Sequence, residues 1–287
     1  MNYIIVTNTY KRSSLLVNRS LKASLKQKIK PAKVILIDQN EIPVNIDNEI
    51  SSSPLFERHC VKIKSVSAAR NTLVIPEGTD WIFFCDDDGY PCENYSEILQ
   101  NLIDGNKDLQ ILAGSIVRDD NHQYYTLRHK KGGSLRYFRN TKNLMGSNFV
   151  VKASVFNELG RFDEKFGAGS FFGSSEETDF CWKAFFSNSR MEYFPELIVY
   201  HLPPFNESLK KGFKKSFHYG TGKGALVWKW LRKGKVIVLY EFIEMIIVPF
   251  IQSLKGLVTF NPSLILTNLA GLIGRIYGIF KGMIYLK

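Results

Sequence analysis

The chain has few cysteines and no clear export signal. Its four cysteines lie at positions 60, 85, 92 and 181, without a CxxC pair or a metal-like spacing to a histidine. Isolated cysteines of this kind are typical of free thiols in a reducing compartment. The N-terminal stretch MNYIIVTNTYKR opens on a strand-like run and lacks the charged start and long apolar core of a secretion signal. These absences predict a cytoplasmic location.

Acidic residues are nearly missing from the C-terminal part of the chain. Residues 208–287 contain 13 lysines and arginines but only two acids, Glu241 and Glu244. Subtracting these from the totals of 38 basic and 27 acidic residues leaves 25 of each sign in residues 1–207, so the last 80 residues carry the whole net charge of +11. This step in composition predicts one domain over 1–207 and a basic C-terminal segment over 208–287.

No apolar run is long and clean enough to be a confident membrane span. Residues 236–251 are interrupted by two glutamates and a proline, and residues 264–286 by an asparagine, an arginine and a lysine. In the second run, polar and small residues recur three or four apart and would share one helical face. They are Asn268, Gly271, Arg275, Gly278 and Gly282. The pattern suits an amphipathic helix in a membrane interface, and the alternative is a helical hairpin packed on the first domain.

The basic C-terminal segment predicts an anionic partner. Nucleic acid and an anionic membrane surface both attract such a segment, and the apolar runs between its charges favour the membrane. The stretch KKGFKK at 210–215 adds about 1 kcal/mol per charge near anionic lipid. A nucleic-acid partner is not expected, because a phosphate-backbone binder would spread basic charge over the cleft of the neutral domain. We expect a protein peripheral on the inner face of the cell membrane.

The first part of the chain alternates strand-like and helix-like patterns. Apolar strand-like runs occupy 3–7, 33–37, 81–85 and 109–116, and helical spacing occupies 12–28, 66–74 and 95–103. This alternation predicts an α/β fold of βαβ units with a parallel sheet. Ligands bind beyond the carboxyl ends of such strands. Polar residues stand there, at 7–10, 38–40 and 86–88.

The pattern beyond residue 114 is mixed. Residues 148–151 and the two short runs 191–194 and 197–200 have strand patterns, and 154–159 has a helical pattern. The sequence SSEETDFCWKAFF at 174–186 predicts a helix with serines and acids at its start. The basic, glycine-bearing stretch RHKKGGSLR at 128–136 has the composition of a mobile loop.

Three consecutive aspartates, Asp86, Asp87 and Asp88, follow one apolar strand in IFFCDDDGYP. Adjacent negative charges repel and resist burial, so a cation is expected beside them. Mg²⁺ and Mn²⁺ accept a few carboxylate oxygens and leave positions for substrate phosphates. Alternation along the chain lets Asp86 and Asp88 face one site while Asp87 points away. The alternative is an acidic turn, because Asp-Gly and proline also favour turns.

Five segments in order give the chain its resemblance to a known family. They are IIVTNTYKR, VILIDQN, SAARN, FFCDDD and SSEETDF. Together they resemble family 2 glycosyltransferases with the GT-A fold, over residues 1–205. The resemblance implies a Rossmann-like, mostly parallel sheet flanked by helices, followed here by a helical, membrane-associating appendage. It also implies an inverting transfer from a nucleoside-diphosphate sugar to a saccharide or lipid-linked acceptor, with Mn²⁺ or Mg²⁺ as cofactor.

The resemblance assigns roles to individual residues. It implies that the nucleotide base and ribose are held by Thr7, Thr9, Tyr10 and Asp38. Arg70 and Asn71 match an Ala-Arg-Asn signature of the nucleotide pocket. The donor contacts extend to Asp86 and Asp87, with Asp86 and Asp88 as the DxD motif and Asp88 as the more direct metal ligand. His201, in LIVYH, matches a segment that often supplies a metal ligand, and the alternative for it is a structural histidine.

The second acidic pair, Glu176 and Glu177, matches the position of the catalytic base. An acceptor hydroxyl must lose its proton as it attacks the anomeric carbon, and a nearby carboxylate can take that proton. The family usually has Glu-Asp, whereas Glu177 is one methylene longer, so the base remains open between the two glutamates. The alternative is favourable charge at a helix N-terminus, worth about 0.3–1 kcal/mol for each acid.

Two other functions compete with glycosyl transfer. A strand followed by Asp-x-Asp also opens haloacid-dehalogenase-like phosphohydrolases, in which Asp86 would be the nucleophile. In this chain the strand is not the first, and no later lysine-plus-acid pattern supports that interpretation. A non-catalytic saccharide- or nucleotide-binding module would leave the two acidic clusters unexplained. A polyprenyl-linked acceptor in bacterial cell-surface polysaccharide synthesis follows from the expected membrane location alone.

Overall fold

The computed structural model describes residues 1–203 and 208–286. The chain divides into two units. The first contains Met1–Phe162 and Phe180–Pro203, and the second contains Asp163–Asp179 and Pro204–Lys287. The boundary near residue 207 was predicted from the distribution of charge alone. That distribution does not indicate that residues 163–179 belong with the C-terminal helices.

The first unit is built on eight strands. They are β1 (Tyr3–Thr9), β2 (Lys33–Asp38), β3 (Phe56–Cys60), β4 (Trp81–Asp86), β5 (Gly89–Pro91), β6 (Ile111–Arg118), β7 (Asn148–Lys152) and β8 (Met191–His201). They form a single sheet in the order β3-β2-β1-β4-β7-β6-β8-β5. The pairs among β3, β2, β1 and β4 are parallel, as is β6 with β8, whereas β7 and β5 run antiparallel to their neighbours.

Ten α-helices are found in the described residues. In chain order they are α1 (Ser14–Leu25), α2 (Asn48–Ser51), α3 (Val66–Asn71), α4 (Tyr95–Gly105), α5 (Leu127–Lys131), α6 (Ala153–Glu158), α7 (Glu176–Phe186), α8 (Leu209–Leu231), α9 (Val238–Val258) and α10 (Pro262–Tyr285). A 3₁₀ turn covers Phe138–Asn143. The division between the units falls inside α7, after Asp179.

Burial of both faces explains the central strands. Consecutive residues of β1 point to opposite faces of the sheet, so Ile4 and Ile5 belong to two different apolar clusters. Parallel strands covered on both sides are near-continuous apolar runs, and YIIV, VILI and WIFF fit that rule. The predicted strands and helices of residues 1–116 are therefore confirmed, with shifts of a few residues at their ends.

Several expectations differ from the structure. The two short strands expected at 191–194 and 197–200 form one strand, β8, with a register shift where Pro195 interrupts the ladder. β3 is a half-exposed, polar edge strand and β5 has three residues including a glycine and a proline, so neither had a clear pattern. The stretch at 128–136, expected to be a mobile loop, contains part of α5, and its His129 and Leu135 are fully buried.

In the second unit, α8 and α10 pack with their backbones in contact. A Cβ added to Gly224 would lie 2.0 Å from the carbonyl oxygen of Arg275, and one on Gly278 would lie 2.1 Å from that of Thr221. Such approaches require glycine on both helices. The small-residue face of α10 is thus packed against α8, where its glycines are buried.

The same unit exposes many large apolar side chains. On α9, Ile243, Phe250 and Val258 are all more than half exposed, and Phe260 in the following turn is 92% exposed. Within the described residues, α10 alone is long and apolar enough to cross a membrane, a statement about its length and composition only.

Candidate functional site

The acidic bend lies at the end of β4. Five buried residues lead into Asp86, and Asp87 and Asp88 are only 6% and 7% exposed. Gly89 then starts β5 against His201 of β8. A Cβ on Gly89 would lie 3.3 Å from the carbonyl oxygen of Tyr200, so a larger residue would press β5 away from β8. This close pairing brings the third aspartate to the end of β8.

Asp86, Asp88 and His201 converge on one point. One potential ligand atom from each lies within 4.8 Å of the other two. His201 Nε2 lies 3.0 Å from Asp88 Oδ1, and His201 Nδ1 lies 2.9 Å from the carbonyl oxygen of Leu202. Nδ1 beside a carbonyl oxygen and Nε2 beside a carboxylate oxygen both carry a hydrogen, so the ring is an imidazolium here, and Nε2 is the atom that could bind a metal ion after losing its proton. Metal-binding histidines are commonly oriented by such a hydrogen bond.

The charges of this cluster reinforce one another. Burial would lower the pKa of His201, but its hydrogen bond and attraction to Asp88 outweigh burial and raise the pKa to about 9. Burial would likewise raise the pKa of Asp88, and the contacts with His201 and Arg12 bring it below its ordinary value instead. Arg12 and His201 thus compensate part of the negative charge of the aspartates.

Arg12 is the main cation that the sequence did not assign. Its Nε lies 3.0 Å from Asp87 Oδ1 and its Nη2 lies 2.9 Å from Asp88 Oδ2. Burial still raises the pKa of Asp87 to about 6 despite the attraction of Arg12. Arg12 belongs to the stretch IIVTNTYKR, so its place after the first strand was the available signal.

Arg70, which the Ala-Arg-Asn signature assigns to the nucleotide pocket, lies beside the acidic bend and contacts other side chains there. Its Nη2 lies 3.2 Å from Asp86 Oδ1, and its Nε donates to Asn8 Oδ1 at 3.3 Å. The neighbouring Asn71 donates to the carbonyl oxygen of Phe162 and accepts from the Phe162 amide. In this structure Arg70 supports the acidic bend, and Asn71 holds the backbone at residue 162.

The residues assigned to the base and ribose lie on two neighbouring strands. Thr9 stands opposite Asp38 in the parallel β1–β2 register. The Asp38 carboxylate is buried and accepts from the amides of Asn40 and Val44, which fixes the turn after β2. Tyr10 is 40% exposed, whereas Thr7 is fully buried within β1. Their roles in nucleotide binding stay predictions.

Glu176 and Glu177 occupy the first turn of α7, in the second unit, and both are half-buried. Ser175, just before them, has a φ of +77°, which is unusual for a residue with a side chain. Asp179, in the same turn, is fully buried. Both of its oxygens lie 2.7 Å from Lys229 Nζ, and Trp230 Nε1 donates to it at 2.9 Å.

Two more contacts join residues that precede this turn to α8. Lys229 Nζ lies 2.7 Å from Asp163 Oδ2, and Ser174 Oγ donates to the carbonyl oxygen of Tyr219 at 3.0 Å. A Cβ on Gly222 would lie 2.2 Å from Ser174 Oγ, so the chain approaches α8 too closely for a side chain there. The start of α7 is therefore held by the C-terminal helix α8, which sequence reasoning did not foresee.

Comparisons with known proteins concern mainly the fold. No protein-family model and no curated protein sequence matches the chain. Solved structures with a similar fold include TarS of S. aureus, with a TM-score of 0.56 and 14% identity over 76% of this chain and 38% of that one. For TarS 1–349 the TM-score and identity are the same, over 76% and 65% of the two chains. For TarS 1–349 in complex with UDP-GlcNAc they are 0.54 and 13%, over 78% and 66%.

The chain thus spans less than two thirds of each of these TarS chains. At such low identity the likeness shows the fold and not the activity. The likeness confirms the expected fold class: the chain has an α/β fold in which one sheet is flanked by helices, with further helices in its C-terminal part.

Proposed function

We propose that the protein is an inverting glycosyltransferase of family 2 that uses a nucleoside-diphosphate sugar. The observation that carries this proposal is the convergence of Asp86, Asp88 and His201 beyond the strand ends of a GT-A-like fold. The UDP-GlcNAc complex of a TarS chain with this fold supports a nucleotide sugar as donor. The acceptor would be a saccharide or a polyprenyl-linked saccharide, as in the synthesis of bacterial cell-surface polysaccharides.

The residues of the acidic bend fit a divalent metal ion. Asp86, Asp88 and His201 would hold it, with two carboxylates and an imidazole whose other nitrogen is already oriented by a carbonyl. Carboxylates suit Mg²⁺ and Mn²⁺, and the imidazole favours Mn²⁺, since Mg²⁺ prefers oxygen ligands. When bound, the ion would neutralise the charge that grows on the leaving diphosphate.

The donor pocket would be completed by the neighbouring strand ends. We assign the base and ribose to Thr7, Thr9, Tyr10 and Asp38, and further donor contacts to Arg70, Asn71 and Asp87. Arg12 is one-third exposed at its side chain and already pairs with two carboxylates. It therefore holds the bend together and lies where a diphosphate would meet a cation.

Glu177, with Glu176 as the alternative, would take the proton of the acceptor hydroxyl. Its place in the first turn of α7 is fixed through Asp179 by Lys229 and Trp230. A base must be held within hydrogen-bonding distance of the proton that it accepts. We infer that the helical segment 208–287, proposed as an appendage to a domain over 1–207, also positions the catalytic carboxylate.

The exposed apolar side chains of α9 and α10 support a peripheral location on an anionic membrane. Lys210, Lys211, Lys214 and Lys215 begin α8, where no acid stands in the first turn. Basic and apolar groups together bind anionic lipid more strongly than either alone. We propose the inner face of the cell membrane as the location, which suits a lipid-linked acceptor.

Donor hydrolysis and binding test the proposed function. A panel of nucleotide sugars, with Mn²⁺ or EDTA, would be screened for nucleotide release and for a thermal shift with UDP, GDP or dTDP. We expect Mn²⁺-dependent release from one donor class, lost by about 10²–10³-fold in Asp88→Asn, the range for removing one transition-state-stabilising group.

Asp104→Asn is the matched control for this experiment. It removes an exposed carboxylate that pairs with Lys107 at the end of α4, so it should leave donor hydrolysis unchanged. Full activity of Asp88→Asn, or phosphate release from simple phosphoesters, would contradict the assignment.

A further inference from the structure

The second unit contains a small polar cavity between α8 and α10. Its volume is about 130 Å³, several times the ~30 Å³ that one water occupies in the liquid. Apart from two glycines, its lining residues all carry polar or charged groups. They are Ser216, Tyr219, Lys223, Thr267, Asn268 and Arg275. None of the described residues in this lining is acidic, so the cavity has a basic character.

The Arg275 guanidinium faces this cavity without enough hydrogen-bond acceptors. Its Nε and Nη1 atoms are buried and bond to no residue in the described part of the chain. Buried N–H groups are normally paired, and leaving those of a cation unpaired costs free energy. Burial also lowers the pKa of Arg275 from its usual value. A half-buried cation with two buried and unpaired nitrogen atoms beside a cavity indicates a site for an anion.

Gly271 keeps space open in front of this guanidinium. A Cβ on Gly271 would lie 3.7 Å from Arg275 Nη1 and 3.7 Å from the carbonyl oxygen of Ser216, an ordinary contact distance. By contrast, a Cβ on Gly274 of the same helix would lie 2.3 Å from the carbonyl oxygen of Phe217. Gly274 is thus required for close helix packing, whereas the missing side chain at Gly271 leaves room for a ligand.

We propose that this cavity binds the phosphate or diphosphate group of an anionic ligand, with Arg275 and Lys223 as its cationic contacts. The planar guanidinium offers a fork of N–H donors that matches phosphate oxygens. The same two helices expose Phe213 and Ile276, which offer an apolar surface to an attached hydrocarbon chain. The assignment concerns binding in the second unit and does not depend on the proposed transfer reaction.

Binding of two diphosphates to the full chain tests the proposal. Inorganic pyrophosphate and farnesyl diphosphate would be titrated by calorimetry in nonionic detergent with EDTA, so that metal-dependent donor binding does not contribute. Arg275→Gln removes the charge, and Gly271→Leu fills the cavity while keeping the charge. Lys255→Gln removes one positive charge from an exposed position on α9 and is the matched control.

We expect both cavity variants to weaken diphosphate binding roughly tenfold or more, as for the loss of a charge-assisted hydrogen bond. Lys255→Gln should stay within about twofold, since one exposed charge is screened. Equal affinity for both probes would identify a free anion as the ligand. Tighter binding of farnesyl diphosphate would identify a lipid headgroup.

Three results would overturn the proposal. The first is that the unmodified protein binds no diphosphate, and the second is that Arg275→Gln and Lys255→Gln lose affinity equally. The third is that Gly271→Leu binds diphosphate with unchanged affinity. This third measurement decides the question if Arg275→Gln does not fold. Each would leave Arg275 as a solvated cation only. Because no sugar is transferred in this experiment, its failure would be distinct from a failure of the proposed function.

Discussion

The two clusters of aspartate and cation differ most in their access to water. In the first unit, the Asp86 side chain is 37% exposed although Arg70 pairs with it. In the second unit, the Asp179 side chain is fully buried beneath Lys229. An exposed carboxylate can exchange its partner for a metal ion or a substrate cation, whereas a buried pair resists separation because a bare charge is costly. Asp86 therefore keeps the first cluster open to ligands, although Asp87 and Asp88 beside it are only 6% and 7% exposed, whereas Asp179 and Lys229 form a closed clamp that holds the fold.

The largest expected effect concerns the first turn of α7, which the Asp179–Lys229 pair holds in place. Glu177→Gln should lower the rate of sugar transfer by about 10²–10⁴-fold, the usual range for a general base, and leave donor binding unchanged. Glu176→Gln is the matched variant in the same turn. Transfer kinetics and nucleotide titration would be measured for both. If Glu176→Gln loses transfer and Glu177→Gln does not, the base is Glu176.

Removing the cation of the clamp should affect folding first. Lys229→Met leaves the buried Asp179 without its charge partner, and we expect unfolding to become easier by about 3–5 kcal/mol. Urea denaturation of the full chain measures this loss. Lys211→Met, at an exposed position of α8, should change stability by at most about 0.5 kcal/mol.

The clamp also predicts how activity responds. Lys229→Arg keeps the charge, so it should recover part of both stability and transfer, and the remaining defect should lie in kcat rather than in the KM for the donor. A folded Lys229→Met variant with unchanged kcat would show that the clamp does not position the base.

Two histidines extend the comparison to proton binding. His201 beside Asp88 keeps its proton, whereas burial, together with the charge of Arg128, lowers the pKa of His129 to about 4. Since an unfolded histidine titrates near pH 6.5, the unfolded chain binds a proton there that the folded chain refuses. The contribution of His129 is thus complete above pH 6.5 and is lost as the pH falls towards 4.

This loss should amount to at most about 1.4 kcal/mol per pH unit. Stability curves between pH 4 and 7 should therefore become flatter in His129→Asn. His122→Asn replaces an exposed histidine and should leave the slope as it is. An unchanged slope in His129→Asn would mean that His129 is protonated in the folded state.

The sequence by itself determined the central strands and the place of the acidic bend. Apolar runs such as VILI and IFFC are local signals of buried strands, and the polar residues that follow them mark the strand ends. It also singled out Asp86, Asp88 and His201, which the structure brings together. The sequence shows the strands and their ends because burial requires a local pattern of apolar residues, which stops where a strand ends.

Only the tertiary structure decided which charges meet. The pairing of Arg12 with Asp87, and of Lys229 with Asp179, joins segments far apart in the chain. The tertiary structure also buries His129, which lies in a stretch with the composition of a loop. It packs the glycine face of α10 against α8. Local pattern reports how much of a segment is buried, but the partner that buries it is chosen by the packing of distant segments, which leaves no periodic trace in the sequence.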